Sequence, residues 1–443
     1  MKLWDKGIAI DKLTENFTTG KDQQLDIKLA AYDVIGSIAH VRMLYSIGII
    51  TEKEMASLER ELKRIYGIIK AGDFHIETNV EDVHSQLEIM LTNALGETGK
   101  KVHTARSRND QVLLDLKLFT RDKLKEIVIK AEKLFNTLIN LSEKHKEILM
   151  PGYTHMQIAM PSSFGLWFGA YAESLADDMI LIKAAYDITN QNPLGSAAGY
   201  GSSFPVNRSM TTDLLGFKTM HVNVVNSQMN RGKMEQTVAF AIGSIGSTLS
   251  KMAMDVCIYS GLNYGFFNLP DEFTTGSSIM PHKKNPDVFE LIRASGNKLR
   301  ALPVEIAMIN SNLPSGYHRD FQLVKESFIP SFDLLIELLT ITDLIIDRIT
   351  VNPDIISKGI YQDMFSVEEV NKIVNQGVPF REAYKMVAGK RADKISHTFK
   401  FSDHTHEGSM GNLCNDLIRT KMNSVISGID FNHADEAIKK LLS

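Results

Sequence analysis

"HTARSRNDQVLLDLKLFTRDKLKEIVIKAEKLFNTLINLSEKHKEILM", residues 103–150, decides the fold. Residues 100–150 contain neither Gly nor Pro. Leu116, Phe119, Ile127, Ala131, Leu134, Leu138 and Leu141 recur at three- and four-residue steps or their multiples. That period marks an amphipathic helix. A helix of about forty residues spans roughly 60 Å at 1.5 Å per residue. This is too long for the core of a small domain and fits an elongated bundle, shared between subunits.

Working outward, further stretches carry the same period. Residues 161–190 open on a favourable early proline and stop before "NQNPLG". Residues 233–259 are rich in small side chains, and Gly243 and Gly246 point to close helix–helix contact. Residues 287–310 and 319–349 each carry one internal proline, Pro303 and Pro330, where a kink is expected. Strand signals are thin. The fold class expected is all-α, with a long central helical bundle over residues 104–355. Smaller helical domains are expected at 1–103 and 356–443.

Bulk composition narrows the function classes. The chain has 443 residues and a net charge of −4, which gives neither a nucleic-acid footprint nor a polybasic membrane patch. Two cysteines, Cys257 and Cys414, make a disulfide framework improbable. The opening "MKLWDKGIAIDKLTENF" lacks the apolar run of a signal peptide, and no segment has the apolar length to span a bilayer. A cytoplasmic protein is the expectation.

Four polar clusters interrupt the helices. In "HTARSRNDQ", Arg106, Arg108, Asn109 and Asp110 crowd the start of the long helix, where free N–H groups and the helix dipole favour anions. On its own this cluster reads equally as a capped, solvated helix end. In "PGYTHMQ", Thr154 and His155 follow the turn expected to end the long helix, and histidine is a natural proton donor near neutral pH. The plain alternative is a hydrogen-bonded loop histidine. The third cluster is "TTGSSIMPHKKNP". Gly276 frees the backbone to form an anion-binding nest, Ser277 and Ser278 add hydroxyls, and Lys283 and Asn285 add donors. A serine held among N–H groups ionises more easily than in water. In the fourth, "YHRDFQLVK", Tyr317, Gln322 and Lys325 can share one side of a helix start, or form an ordinary polar face. His404 and His406 lack partners at metal-ligand spacing. No dinucleotide fingerprint or phosphate-binding loop appears. Neither metal nor cofactor is expected.

Taken together, these segments resemble the fumarase/aspartase superfamily, whose signature loop is written here as "GSSIMPHKKNP". Within it, "HTARSRNDQ", "PGYTHMQ", "NPLGS", "YHRDFQLVK" and "EDVHSQ" resemble the argininosuccinate lyase family. The resemblance runs from about residue 22 to the helix before Pro353. It implies reversible cleavage of argininosuccinate to arginine and fumarate by a homotetramer whose sites are shared between subunits. It implies Ser277 as base and His155 as the acid-side group. By the same resemblance, Lys283 and Asn285 bind the carboxylates of the fumarate moiety, and Arg108, Asn109 and Thr154 position the succinyl part. Tyr317, Gln322 and Lys325 hold the arginine end, and His84 falls at a matching substrate-binding position.

The sequence departs from the family pattern at four places. Asp22 stands where the family has a serine, His282 replaces a glutamine, and Met160 replaces another. "MNRGKME" keeps Arg231 but puts Gly232 where an acid is usual. These positions bear on the distal end of the substrate, so the sequence indicates the reaction class more firmly than the substrate. A lyase acting on adenylosuccinate and a non-catalytic crystallin-like homologue stay open at this point.

Overall fold

The computed structural model describes residues 11–77, 80–388 and 399–443. The first ten residues of the leader reading lie outside that range. The long Gly- and Pro-free stretch forms one helix, α4 (Arg108–Lys144), 37 residues long. Ser107 caps it: its hydroxyl accepts from Asn109 N–H, and Asp110 reaches back to Ser107 N–H in a capping box. At 1.5 Å per residue α4 runs about 55 Å. Before it come α1 (Ala30–Ser46), α2 (Glu52–Ala71) and α3 (Val83–Leu95). After it come α5 (Phe164–Thr189), α6 (Lys233–Tyr259), α7 (Asp287–Ile309) and α8 (Phe321–Ile346). Near the C-terminus lie α9 (Asn415–Ser427) and α10 (Phe431–Leu442).

Helices α4, α5, α6, α7 and α8 form the bundle and bury one continuous apolar core along their length. A second core joins α1–α3 to the first turns of α4. The close contact expected from Gly246 is present between α6 and α7. A Cβ on Gly246 would come within 2.9 Å of the Gly296 carbonyl oxygen, so the two backbones touch there. Pro303 and Pro330 sit inside α7 and α8 without ending them.

The strand content exceeds the expectation. Three two-stranded sheets form among the described residues. They are the antiparallel β1 (Leu149–Thr154) with β2 (Gln157–Ser163), the parallel β3 (Gln191–Asn192) with β4 (Thr219–Met220), and the antiparallel β5 (Phe267–Asn268) with β6 (Thr350–Val351). The β1–β2 hairpin corrects one boundary. Residues 161–163 are strand, and α5 starts later, at Phe164, capped by Ser163. Thr154 and His155 follow the turn after the long helix, as expected, but not as an open loop. They form the end of β1 and the hairpin tip. Proline lacks the N–H that a helix interior needs, and Pro151 faces Pro161 across the ladder.

Ion pairs fix the direction of α8 against α4. Lys123 meets Asp333 at 3.1 Å and Lys133 meets Asp343 at 2.8 Å. Equal steps along both chains mean the two helices run parallel. Their N-terminal ends therefore lie together at one end of the bundle, and their C-terminal ends at the other.

Candidate active site

At the head of α4 and α8 lies a polar cleft of about 130 Å³. Arg108, Asn109, Tyr317, Gln322, Lys325 and His84 line it, six of the residues singled out from the sequence. Its walls also carry Asp22, Asp26, Glu81, Asp82 and Arg319. Arg108 bridges Glu81 at 3.0 Å and Asp82 at 3.2 Å, and donates to Ser85 Oγ at 2.7 Å. Lys325 is buried between Asp22 (2.7 Å) and Asp26 (2.8 Å). Burial opposes its charge, but Asp26 and Asp22 outweigh it and hold Lys325 above its ordinary pKa. Burial pushes Asp22 up to about 6 against the pull of Lys325. Gln322 donates to the carbonyls of Thr18 and Thr19, both at 3.1 Å, and ties the segment before Asp22 to the cleft. Four cationic groups thus alternate with four carboxylates, a lining suited to a small molecule that carries both signs.

Behind the cleft is a fully buried ionic cluster. His84 Nδ1 lies 2.9 Å from Asp33 and 3.7 Å from Asp115. Burial alone would push this imidazole down, yet Asp33, Asp82 and Asp115 outweigh it and hold it up at about 9. Asp33, His84 and Asp115 offer ligand atoms within 4.8 Å of one another, close enough for a cation. Two positive groups, the His84 ring and Arg106, already face the two carboxylates.

Asp110 joins a further loop to this end of the bundle. One of its oxygens accepts from Gly195 N–H (3.0 Å) and Ala197 N–H (2.8 Å), which anchors the "NPLGS" segment against the start of α4.

The remaining candidates sit elsewhere. Thr154, His155 and Lys283 are exposed, and Ser277 and Asn285 are partly so. None of the five lines the cleft. Tyr153, beside Thr154, stacks edge-on against Tyr264 at 5.5 Å, and β5, just beyond, pairs with β6 after the end of α8. Arg348, also past the end of α8, pairs with Glu272 at 3.2 Å and covers Phe273, at the foot of the 274–286 loop. The hairpin and the loop are therefore rooted at the C-terminal end of α8, and Gln322 and Lys325 at its N-terminal end. With 26 residues between these ends, the separation is about 39 Å.

The exposed half has a local geometry of its own. Ser277 Oγ accepts from Ile279 N–H (3.3 Å) and Met280 N–H (3.1 Å). Two amide dipoles aimed at a hydroxyl oxygen favour its ionised form. Asn285 closes the loop by pairing with Thr275 as an antiparallel bridge. His155 and Met156 have φ of +53° and +60°, the backbone of a tight two-residue hairpin turn. Left-handed backbone is unusual for non-glycine residues and concentrates at functional sites. Ala105, His155, Met156, Ala197, Asn312 and Cys414 show it among the described residues, and the first three fall in polar clusters singled out from the sequence.

One departure is compensated. Gly232 lacks the usual acid, but Glu235 supplies a carboxylate one turn on, 3.1 Å from Arg231 Nε. Arg231 also lies over the Phe321 ring and donates to its carbonyl at 3.3 Å, fixing the start of α8. Residues missed from the sequence are Asp26, Glu81, Asp82 and Arg319. The last three sit in stretches already quoted. Asp26 carries no signal beyond the helical spacing from Asp22.

The long helical bundle is the fold shared by solved lyases of the fumarase/aspartase type. The solved structure of an EDDS lyase variant with bound fumarate superposes with a TM-score of 0.79 over 98% of this chain and 94% of that one, at 21% identity. A class II fumarase from Schistosoma mansoni gives 0.70 over 85% and 90%, at 16% identity. A family model described as lyase matches residues 6–300. An argininosuccinate lyase of Bacteroides fragilis is 57% identical over 442 residues, 100% of this chain and 99% of that protein. One of Thermotoga neapolitana is 41% identical over 88% of this chain and 98% of its own length. The chain belongs to the argininosuccinate lyase family, and it is an enzyme of the lyase class. No described helix is long and apolar enough to cross a membrane.

Proposed function

We propose that this enzyme cleaves argininosuccinate reversibly to arginine and fumarate, a step of arginine biosynthesis, in the cytoplasm. The observation that carries the reading is the likeness to argininosuccinate lyases over the whole chain. The mixed-charge cleft supports it, because argininosuccinate presents carboxylates, an ammonium and a guanidinium together.

In this reading Ser277, as alkoxide, removes a proton from the carbon beside one succinyl carboxylate. The electron pair delocalises into that carboxylate, which Lys283 and Asn285 neutralise. The carbon–nitrogen bond then breaks, fumarate forms, and the departing guanidino nitrogen receives a proton on the His155 side. Stabilisation of the developing charge is the largest contribution. Arg108, Asn109 and Thr154 hold the succinyl part; His84, Tyr317, Gln322 and Lys325 hold the rest.

We further propose a homotetramer with shared sites. No small molecule bridges about 39 Å along α8, which supports a site whose two halves come from different chains. Apolar residues left exposed on the bundle support this: Phe240 is 60% exposed, Leu291 67% and Met308 70%. Between α7 and α8 runs a groove of about 520 Å³ lined by Leu291, Leu334, Leu338 and Leu344, a surface for a second copy. The chemical test follows fumarate absorbance with argininosuccinate and adenylosuccinate in parallel. Fumarate from argininosuccinate alone supports the assignment; fumarate from adenylosuccinate alone, or from neither, refutes it.

A further inference from the structure

We propose that Asp33 is a positioning residue: it fixes the His84 ring through Nδ1 so that Nε2–H donates to a carboxylate of the bound substrate. The inference rests on the proposed reaction and goes beyond the resemblance, which points to His84 but not to Asp33. His84 lines the cleft, and its Nδ1 is held at 2.9 Å by Asp33. Nε2 is the nitrogen left for a ligand. Asp33 is itself held in place: Ser37 donates to it at 3.4 Å, and Ser37 in turn accepts from Arg106 at 2.9 Å. The chain Arg106–Ser37–Asp33–His84 thus joins α1, α3 and the head of α4 and aims one donor into the cleft. An ionised carboxylate at Nδ1 fixes the orientation of the ring and favours the imidazolium, in which Nε2 also carries a proton to donate.

The two carboxylates beside the ring differ. Burial works against Asp33, but His84 and Arg106 hold it below its ordinary pKa, so it carries the charge. Burial, then the like charge of Asp33, pushes Asp115 well above the usual range, and neither of its oxygens has a hydrogen-bond partner. The charged groups acting on His84 are Asp33 from α1, Asp82 ahead of α3, Asp115 from α4 and His103 ahead of α4, while Arg106 faces the same Asp33 and Asp115 and Arg108 faces Asp82. Asp33, at 2.9 Å, is thus the hydrogen-bonding partner of the ring, and Asp115 stands farther off, at 3.7 Å.

The experiment is steady-state kinetics of the assembled enzyme on argininosuccinate between pH 6 and 8.5. In the wild type KM stays flat over this range. In Asp33→Asn the imidazole loses its charged partner, and KM rises with pH, reaching about tenfold above the wild type at pH 8.5. Its kcat stays within about threefold, because a binding contact is lost. Asp115→Asn keeps the wild-type profile. His84→Asn removes the titrating group, so its KM is raised and flat. If Asp33→Asn raises KM by one factor at every pH, or leaves it unchanged, the positioning role is refuted. Should that variant fail to assemble, the wild-type profile decides: a KM that climbs through the range of a free histidine refutes the role. A wild type that releases no fumarate from argininosuccinate overturns the proposed function and this role together. An active wild type with a pH-independent Asp33→Asn defect overturns only the role.

Discussion

Arg231 and Glu235 face each other one helical turn apart, Nε to Oε1 at 3.1 Å, both buried at the start of α6. The same glutamate accepts from Gly232 N–H at 2.7 Å, so a single side chain caps the helix and pairs the arginine. Gly232 cannot take back a side chain: its φ is +77°, and a Cβ there would collide with Asn310. Glycine at 232 and glutamate at 235 form one compensated arrangement.

Glu235→Ala leaves a buried guanidinium without its partner. Removing one member of a buried pair costs about 3–5 kcal/mol. Urea unfolding of the variant is expected to show a loss of that size. Gly232→Asp in the Glu235→Ala background is expected not to restore stability. A fully stable Glu235→Ala enzyme would show that Arg231 does not depend on this pair.

Acid lability is expected from His40. It is buried, its Nε2 lies 2.8 Å from the Thr104 carbonyl, and its Nδ1 has no partner. Burial, then the charge of Arg106, pushes its pKa down to about 3, from about 6.5 when unfolded. Between those values the unfolded chain binds the extra proton. Stability therefore falls as pH drops from about 6.5 towards 3, with a slope of about 1.4 kcal/mol per pH unit from this residue. His40→Gln is expected to flatten the slope in chemical denaturation curves, whatever its effect at pH 7. An unchanged slope would mean the site admits the charged ring.

Much of the bundle is legible because a 3.6-residue period sustained over many turns leaves few alternatives. The absence of Gly and Pro gives α4, and the boundaries of α6 follow from its flanking loops. The β1–β2 hairpin is hidden for the opposite reason. Its strands are short and partly exposed, they pair only locally, and "THMQ" lacks the Asn-Gly signal of a tight turn. The cleft is legible in part. Arg108 and Lys325 stand out as cations near helix starts, but the carboxylates that pair with them lie 27, 26 and up to 303 residues away in sequence, where no local pattern links them. Asp33 is invisible for the same reason, since its importance comes only from the ring it meets on another helix.

Ser277→Ala is expected to lower kcat by about 10²–10⁴-fold, the range for a lost acid–base group. Fold and assembly should be kept, because the side chain is small and sits in a partly exposed loop. Near-wild-type fumarate release would remove Ser277 from the base role.

The most direct measurement is complementation between the two ends of the bundle. Arg108→Ala inactivates the cleft half and Ser277→Ala the loop half. Each variant is prepared alone, then equal amounts are dissociated and reassembled together, and fumarate release from argininosuccinate is followed. If each site takes these residues from different chains, some hybrid sites receive neither mutation. Activity should then recover to about a quarter of wild type on random mixing, while neither parent recovers alone. Reassembled hybrids that stay inactive at every mixing ratio would contradict a site divided between chains.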